Sequence, residues 1–199
     1  MMGNIDNGYA AGERHGASGY LLADWGDGGH PNPWIVSVPA LVYLGAKVNE
    51  NATLTRQELA TRIDRLLGCR VGEALLDMGD VYLVSKGRSW NCAEFFYVLR
   101  EGADYRMPSG VTPETLSAAL CAWDAARARA DLIGAPQWVK DDFALLDLLK
   151  EAVARRVQDK ADQSIRAAFA PRYRDLWLRN NRPGGLDASI EKVFPVCVE

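Results

Sequence analysis

Within the stretch Gly19-Tyr20-Leu21-Leu22-Ala23-Asp24-Trp25-Gly26-Asp27-Gly28-Gly29-His30 lie an indole, two carboxylates and one of the chain's two histidines. The segment reads as a short apolar strand opening into a polar, glycine-rich mouth, a usual meeting place of ligand and scaffold. Side chains two apart on a strand share a face, so Trp25 and Asp27 project together and Asp24 to the other side. A flat ring beside a carboxylate suits a sugar, the ring stacking on its C–H face while the acid accepts its hydroxyl hydrogens. A core tryptophan followed by an acid in a turn uses the same residue types. A metal site built from Asp24, Asp27 and His30 is disfavoured, because the alternation separates the two aspartates. His30, beside Pro31, either lines the same mouth or satisfies a loop carbonyl.

Other chemistries lack their residues. Gly26 to Gly29 has no following Gly-Lys-Ser/Thr and runs into prolines, so it is not a phosphate loop. There is no Gly-x-Ser-x-Gly and no paired Cys/His arrangement for nucleophilic catalysis. Cys69, Cys92, Cys121 and Cys197 form no C-x-x-C pair; they are expected as reduced thiols, with neither metal nor cofactor.

The elements that must hold this stretch are almost all helical. Residues 3–18 suit the end of a helix stopping near Gly16 or Gly19. Pro31-Asn32-Pro33-Trp34 cannot be regular helix. Burial is expected for Trp34, although it sits in a loop. Pro39 fits the first turn of a helix to about Lys47 that is apolar nearly all round. Thr55-Arg56-Gln57-Glu58 is a capping box, opening a helix that Gly68 closes. Helices are further expected over 72–85, over 90–100 with Ser89 as cap, and over 113–133 behind Thr112-Pro113-Glu114. One more is expected from Pro136 to about Phe169, and a last main helix over 172–180 behind Pro171. Pro183-Gly184-Gly185 forces a turn, after which Asp187 caps a short helix through Val193.

The 199 residues carry a net charge of −3 with 48% hydrophobic composition, ordinary for a globular domain without a basic nucleic-acid surface. Arg and Lys alternate with Asp and Glu as on solvated helix faces. No apolar run approaches the roughly 18 residues of a membrane span, and the start lacks the form of a secretion signal. A cytoplasmic location is therefore expected for the chain as given, one that a longer form could change.

Leu21-Leu22-Ala23-Asp24-Trp25-Gly26-Asp27-Gly28-Gly29-His30, followed by Val36-Ser37-Val38-Pro39 and by Tyr43, Gly45 and Ala46, resembles the last barrel strand of bacterial family-twenty glycoside hydrolases, the β-N-acetylhexosaminidases. The tail Leu176-Trp177-Leu178-Arg179-Asn180-Asn181-Arg182-Pro183-Gly184-Gly185-Leu186-Asp187-Ala188-Ser189 is similar to a segment near the end of the same proteins. The two segments bracket nearly the whole chain.

The resemblance implies a (β/α)8 barrel that cleaves terminal N-acetylhexosamines, with its site at strand C-terminal ends. Trp25 matches a tryptophan that walls the sugar pocket, and Asp27 an acid that binds the distal hydroxyls. Catalysis in that family is substrate-assisted: the acetamido oxygen attacks the anomeric carbon while a glutamate protonates the leaving oxygen and an adjacent aspartate steadies the acetamido group. This chain contains no Asp-Glu dipeptide. It also has room for only one barrel strand.

The expected fold is mainly α: the last strand and helix of an incomplete (β/α)8 barrel over 1–50, then a helical C-terminal region over 51–199. By resemblance it is a glycoside hydrolase portion that binds an N-acetylhexosamine-containing glycan through Trp25, Asp27 and His30 and is inactive alone. Two other readings remain, a non-catalytic helical interaction module and a fragment that complements a separate barrel half. The stretch Ile35 to Ala46 expects a barrel to cover it, so exposed apolar surface and self-association would follow.

Overall fold

Local signals account for most helix boundaries. In α3 (Arg56–Leu67) the Thr55 hydroxyl accepts the Glu58 N–H while the Glu58 carboxylate takes the Thr55 N–H at 2.8 Å, and Gly68 ends the helix at φ 68°. In α7 (Pro113–Arg127) Thr112 and Thr115 cap reciprocally ahead of a first-turn proline. The computed structural model describes residues 1–24, 31–87, 94–102, 106–107, 109–159, 162 and 164–195.

The described chain is mainly helical. The helices preceding and separating those two are α1 (Met2–Arg14), α2 (Val38–Glu50), entered through a 3-10 turn at Trp34–Ser37, α4 (Gly72–Gly79), the single turn α5 (Tyr82–Ser85) and α6 (Glu94–Glu101). Beyond α7 come α8 (Gln137–Gln158), α9 (Ile165–Asn180) and α10 (Leu186–Val193). No described helix is long and apolar enough to cross a membrane.

Several expectations need correction. Residues 19–24 form no strand. Among the described residues the sole β pairing is an isolated bridge between Arg70 and Asp131, so nothing offers this segment a ladder. The helix expected over 72–85 divides after Gly79, a residue with little helical preference. The helix from Pro113 stops at Arg127 rather than Ile133, because Asp131 bridges to Arg70 and its carboxylate takes the Ile133 N–H at 3.0 Å. The pattern running from Pro136 to Phe169 breaks after Gln158, and Asp162 prepares the next helix by accepting the Ser164 N–H at 2.8 Å. Pro171 therefore lies inside α9 rather than at its start.

Two apolar cores result. Ile5, Ile35, Tyr43, Ile63 and Phe143 belong to the first, which joins residues from both sides of residue 50. Leu116, Leu148, Phe169, Tyr173 and Phe194 belong to the second. The helices α7 and α8 contribute to both, and Phe95 of α6 packs against both. α8 packs most extensively against α9. α1 is held by Asp6, whose carboxylate accepts the Tyr43 hydroxyl at 2.8 Å and the Lys47 ammonium at 2.8 Å. The Lys47 contact holds the Asp6 carboxyl below its ordinary value, and burial beside that carboxylate pushes Tyr43 up to about 12.

Trp34 is 55% exposed, contrary to the burial expected of it. Val36 and Leu41 are also exposed, so the turn and helix after the glycine-rich stretch present an apolar face to solvent.

Candidate functional site

Trp25, Asp27 and His30, the three residues singled out for sugar binding, lie outside the described residues, as do Cys92 and Cys197. Their flanks are described, and both flanks are fastened. On the near side the Asp24 carboxylate accepts the Ser37 hydroxyl. On the far side Pro31 and Pro33 are buried and Ile35 is fully buried.

The fastening reaches into α8. Ile35 donates its backbone N–H to Asp142 Oδ2 at 2.9 Å, and Asn180 donates its side-chain amide to Asp142 Oδ1 at 2.8 Å and to the Trp138 carbonyl at 3.1 Å. Asp142 is only 3% exposed. Burial pushes its carboxyl up; the two donors oppose that shift, and neighbouring Asp141 adds to it. Asp141 has its own partner, the Arg179 guanidinium at 3.0 Å. One turn of α8 thus presents two carboxylates, one to the turn behind the glycine-rich stretch and both to the end of α9. Sequence reasoning did not single out this pair. The available signal was Asp-Asp inside an otherwise apolar helical stripe, where a charged pair must find donors.

Next to this junction is a cavity of about 300 Å³ at the seam of the two cores. Pro31 and Asn32, which directly follow the glycine-rich stretch, line it. Its walls include Met78, Phe95, Phe96, Trp123 and Leu149. Five polar side chains join them, Asn32, Tyr82, Ser85, Glu94 and Lys150, of which Ser85 and Glu94 are buried. Glu94 is 3% exposed, and Lys150 is committed to Asp124 at 2.6 Å.

Cys69 is buried and Cys121 exposed, both as free thiols; burial raises the Cys69 thiol above its ordinary value, away from reactivity. Among the described residues no group of three or more His, Cys, Asp or Glu side chains is placed to hold a metal ion.

No protein-family model, curated protein or solved structure matches the chain.

Proposed function

We propose that this chain is the C-terminal portion of a β-N-acetylhexosaminidase-like glycoside hydrolase. Trp25 and Asp27 bind the distal end of a terminal N-acetylhexosamine, with His30 in the same mouth, and the helical region is their pedestal. The observation that carries this reading is the meeting at Asp142. The two segments that resemble the family lie far apart in sequence, yet Ile35, which directly precedes the Val36-Ser37-Val38-Pro39 part of the first, and Asn180 from the second bond to opposite oxygens of one buried carboxylate. A tail whose asparagine helps hold the loop behind a sugar-binding stretch has a reason to accompany that stretch.

In this reading residues 19–24 become the last barrel strand only when a neighbouring strand supplies the ladder. Bond cleavage then requires an Asp-Glu pair that the chain lacks. General acid catalysis needs the acid within hydrogen-bond reach of the leaving oxygen, so no acid of the helical region takes that role.

The exposed Trp34, Val36 and Leu41 favour a second reading of the same kind, in which this chain docks onto a separately encoded barrel half.

The test is to sequence the DNA upstream of the Met1 codon and assay the in-phase extended protein for release of p-nitrophenol from p-nitrophenyl N-acetyl-β-glucosaminide. The expected result is an extension carrying strand–helix repeats and an Asp-Glu pair. Trp25→Ala and Asp27→Asn should each lower kcat/KM by roughly a hundredfold or more, as losing a contact to buried sugar hydroxyls does. Hydrolysis indifferent to both substitutions overturns the reading. So does the lack of any reading frame, upstream or separate, that encodes the rest of a barrel.

A further inference from the structure

The cavity between the two cores has no part in the sugar-binding proposal, and its lining argues for a ligand of another kind. At about 300 Å³ it sits at the lower end of the range for small-molecule pockets. Its walls are mainly aliphatic, and rings and a thioether are set among them: Tyr82, Phe95, Phe96, Trp123 and Met78. Such walls favour a flat apolar body, held by stacking and by sulfur–aromatic contact.

The polar groups narrow the choice. The Ser85 hydroxyl donates to the Tyr82 carbonyl at 2.9 Å, and the Lys150 ammonium pairs with Asp124 at 2.6 Å. The Ser85 hydrogen is thus engaged within the protein and the Lys150 charge is already paired, while Asn32 and Tyr82 reach the lining from less buried positions. The buried charged group of the lining is an acceptor, the carboxylate of Glu94, a residue 3% exposed. A carboxylate has about four lone-pair positions, so it can take a ligand's donor beside its intramolecular contacts.

We propose that this cavity is a binding site for an uncharged aromatic molecule carrying one N–H or O–H donor. The ring lies among Phe95, Phe96 and Trp123, and the donor meets Glu94. Because the walls come from α4, α5, α6, α7 and α8 and from the Pro31–Asn32 turn, the occupant ties the two cores together beside the glycine-rich stretch.

The probe is N-phenyl-1-naphthylamine, neutral, fluorescent in apolar surroundings and provided with one N–H; 1-phenylnaphthalene is its counterpart without the donor. Titrated into the intact chain, the amine should bind saturably with one site and about tenfold more tightly than the hydrocarbon, the value of roughly one buried hydrogen bond to a charged group. Glu94→Gln should shrink that preference to about threefold or less.

Gly79 lines the cavity, and a Cβ there meets nothing within 4 Å, so Gly79→Phe adds a side chain at the cavity wall whose first carbon clashes with no neighbour. It should weaken the amine by tenfold or more with the helical circular dichroism unchanged. Val81→Phe, in the turn between α4 and α5, fills the same space from outside a helix and serves if Gly79→Phe does not fold. Three results overturn the proposal: no saturable binding, equal affinity for amine and hydrocarbon, or binding unaffected by a folded cavity-filling variant. The last would assign the probe to the exposed apolar face at Trp34 and Leu41 instead. None of these outcomes depends on whether the chain belongs to a glycosidase.

Discussion

Asn180 at the end of α9 donates its side-chain amide to Asp142 at 2.8 Å across 38 residues of sequence. The other oxygen of the same carboxylate holds the Ile35 backbone N–H at 2.9 Å. A buried carboxylate is tolerated when donors surround it, and a buried backbone N–H in an irregular turn needs an acceptor. Each group therefore makes the others possible.

Removing the centre of this arrangement should be felt at once. Asp142→Ala leaves the Ile35 N–H without its acceptor and is expected to lower stability by about 1–3 kcal/mol in urea unfolding. Asn180→Ala leaves a less satisfied carboxylate, and the double variant should show a coupling of about 0.5–3 kcal/mol. Strict additivity would mean that the contact contributes nothing.

The same residue gives a pH signature. Burial raises the Asp142 carboxyl above its ordinary value of 3.8. Between that value and the raised one the folded state binds more protons than the unfolded state, so this group's contribution to stability falls as pH rises. The stability of the natural chain relative to Asp142→Asn should therefore decrease from about pH 3.8 upward until the folded-state value is passed. Asp6, held low by Lys47 and Tyr43, has the opposite sign, its contribution present above the ordinary value and lost as pH falls. Chemical denaturation of both proteins across a pH series isolates the Asp142 component; a difference that grows with pH would contradict it.

Gly72 is where α4 comes closest to α3. A Cβ there would lie 2.2 Å from the Ala60 carbonyl oxygen and 2.7 Å from the Ala60 Cα, both backbone atoms that cannot swing aside. Gly72→Ala should cost about 1–3 kcal/mol through forced separation of the two helices, despite alanine's better helical preference. An unchanged or raised midpoint in thermal unfolding would show that the helices separate freely.

Pro171 sits in the interior of α9, where its ring removes the N–H that would reach the Ala167 carbonyl. Both residues are exposed, which lets water serve that carbonyl. Pro171→Ala restores the missing bond and should stabilise the protein by about 1–3 kcal/mol, part of the intrinsic helical penalty of proline. A lower melting temperature for the variant would indicate that the proline shapes α9 against α8.

What was legible in the sequence is what neighbouring residues decide among themselves. Thr55 with Glu58, Thr112 ahead of Pro113, and Gly68 as a left-handed stop each act over one turn of chain, so the starts of α3 and α7 and the end of α3 could be read directly. The sugar-binding candidates Trp25, Asp27 and His30 were likewise chosen on residue type and strand alternation, and they fall outside the described residues.

Tertiary structure alone decided the rest. A strand is defined by its partner, so an apolar run at 19–24 with no ladder beside it forms none. A proline's penalty can be borne by a helix that packing stabilises elsewhere, so Pro171 did not mark a boundary. The meeting of Ile35, Asp142 and Asn180 is written nowhere in local sequence, because a carboxylate's donors are set by which helices the two cores draw together.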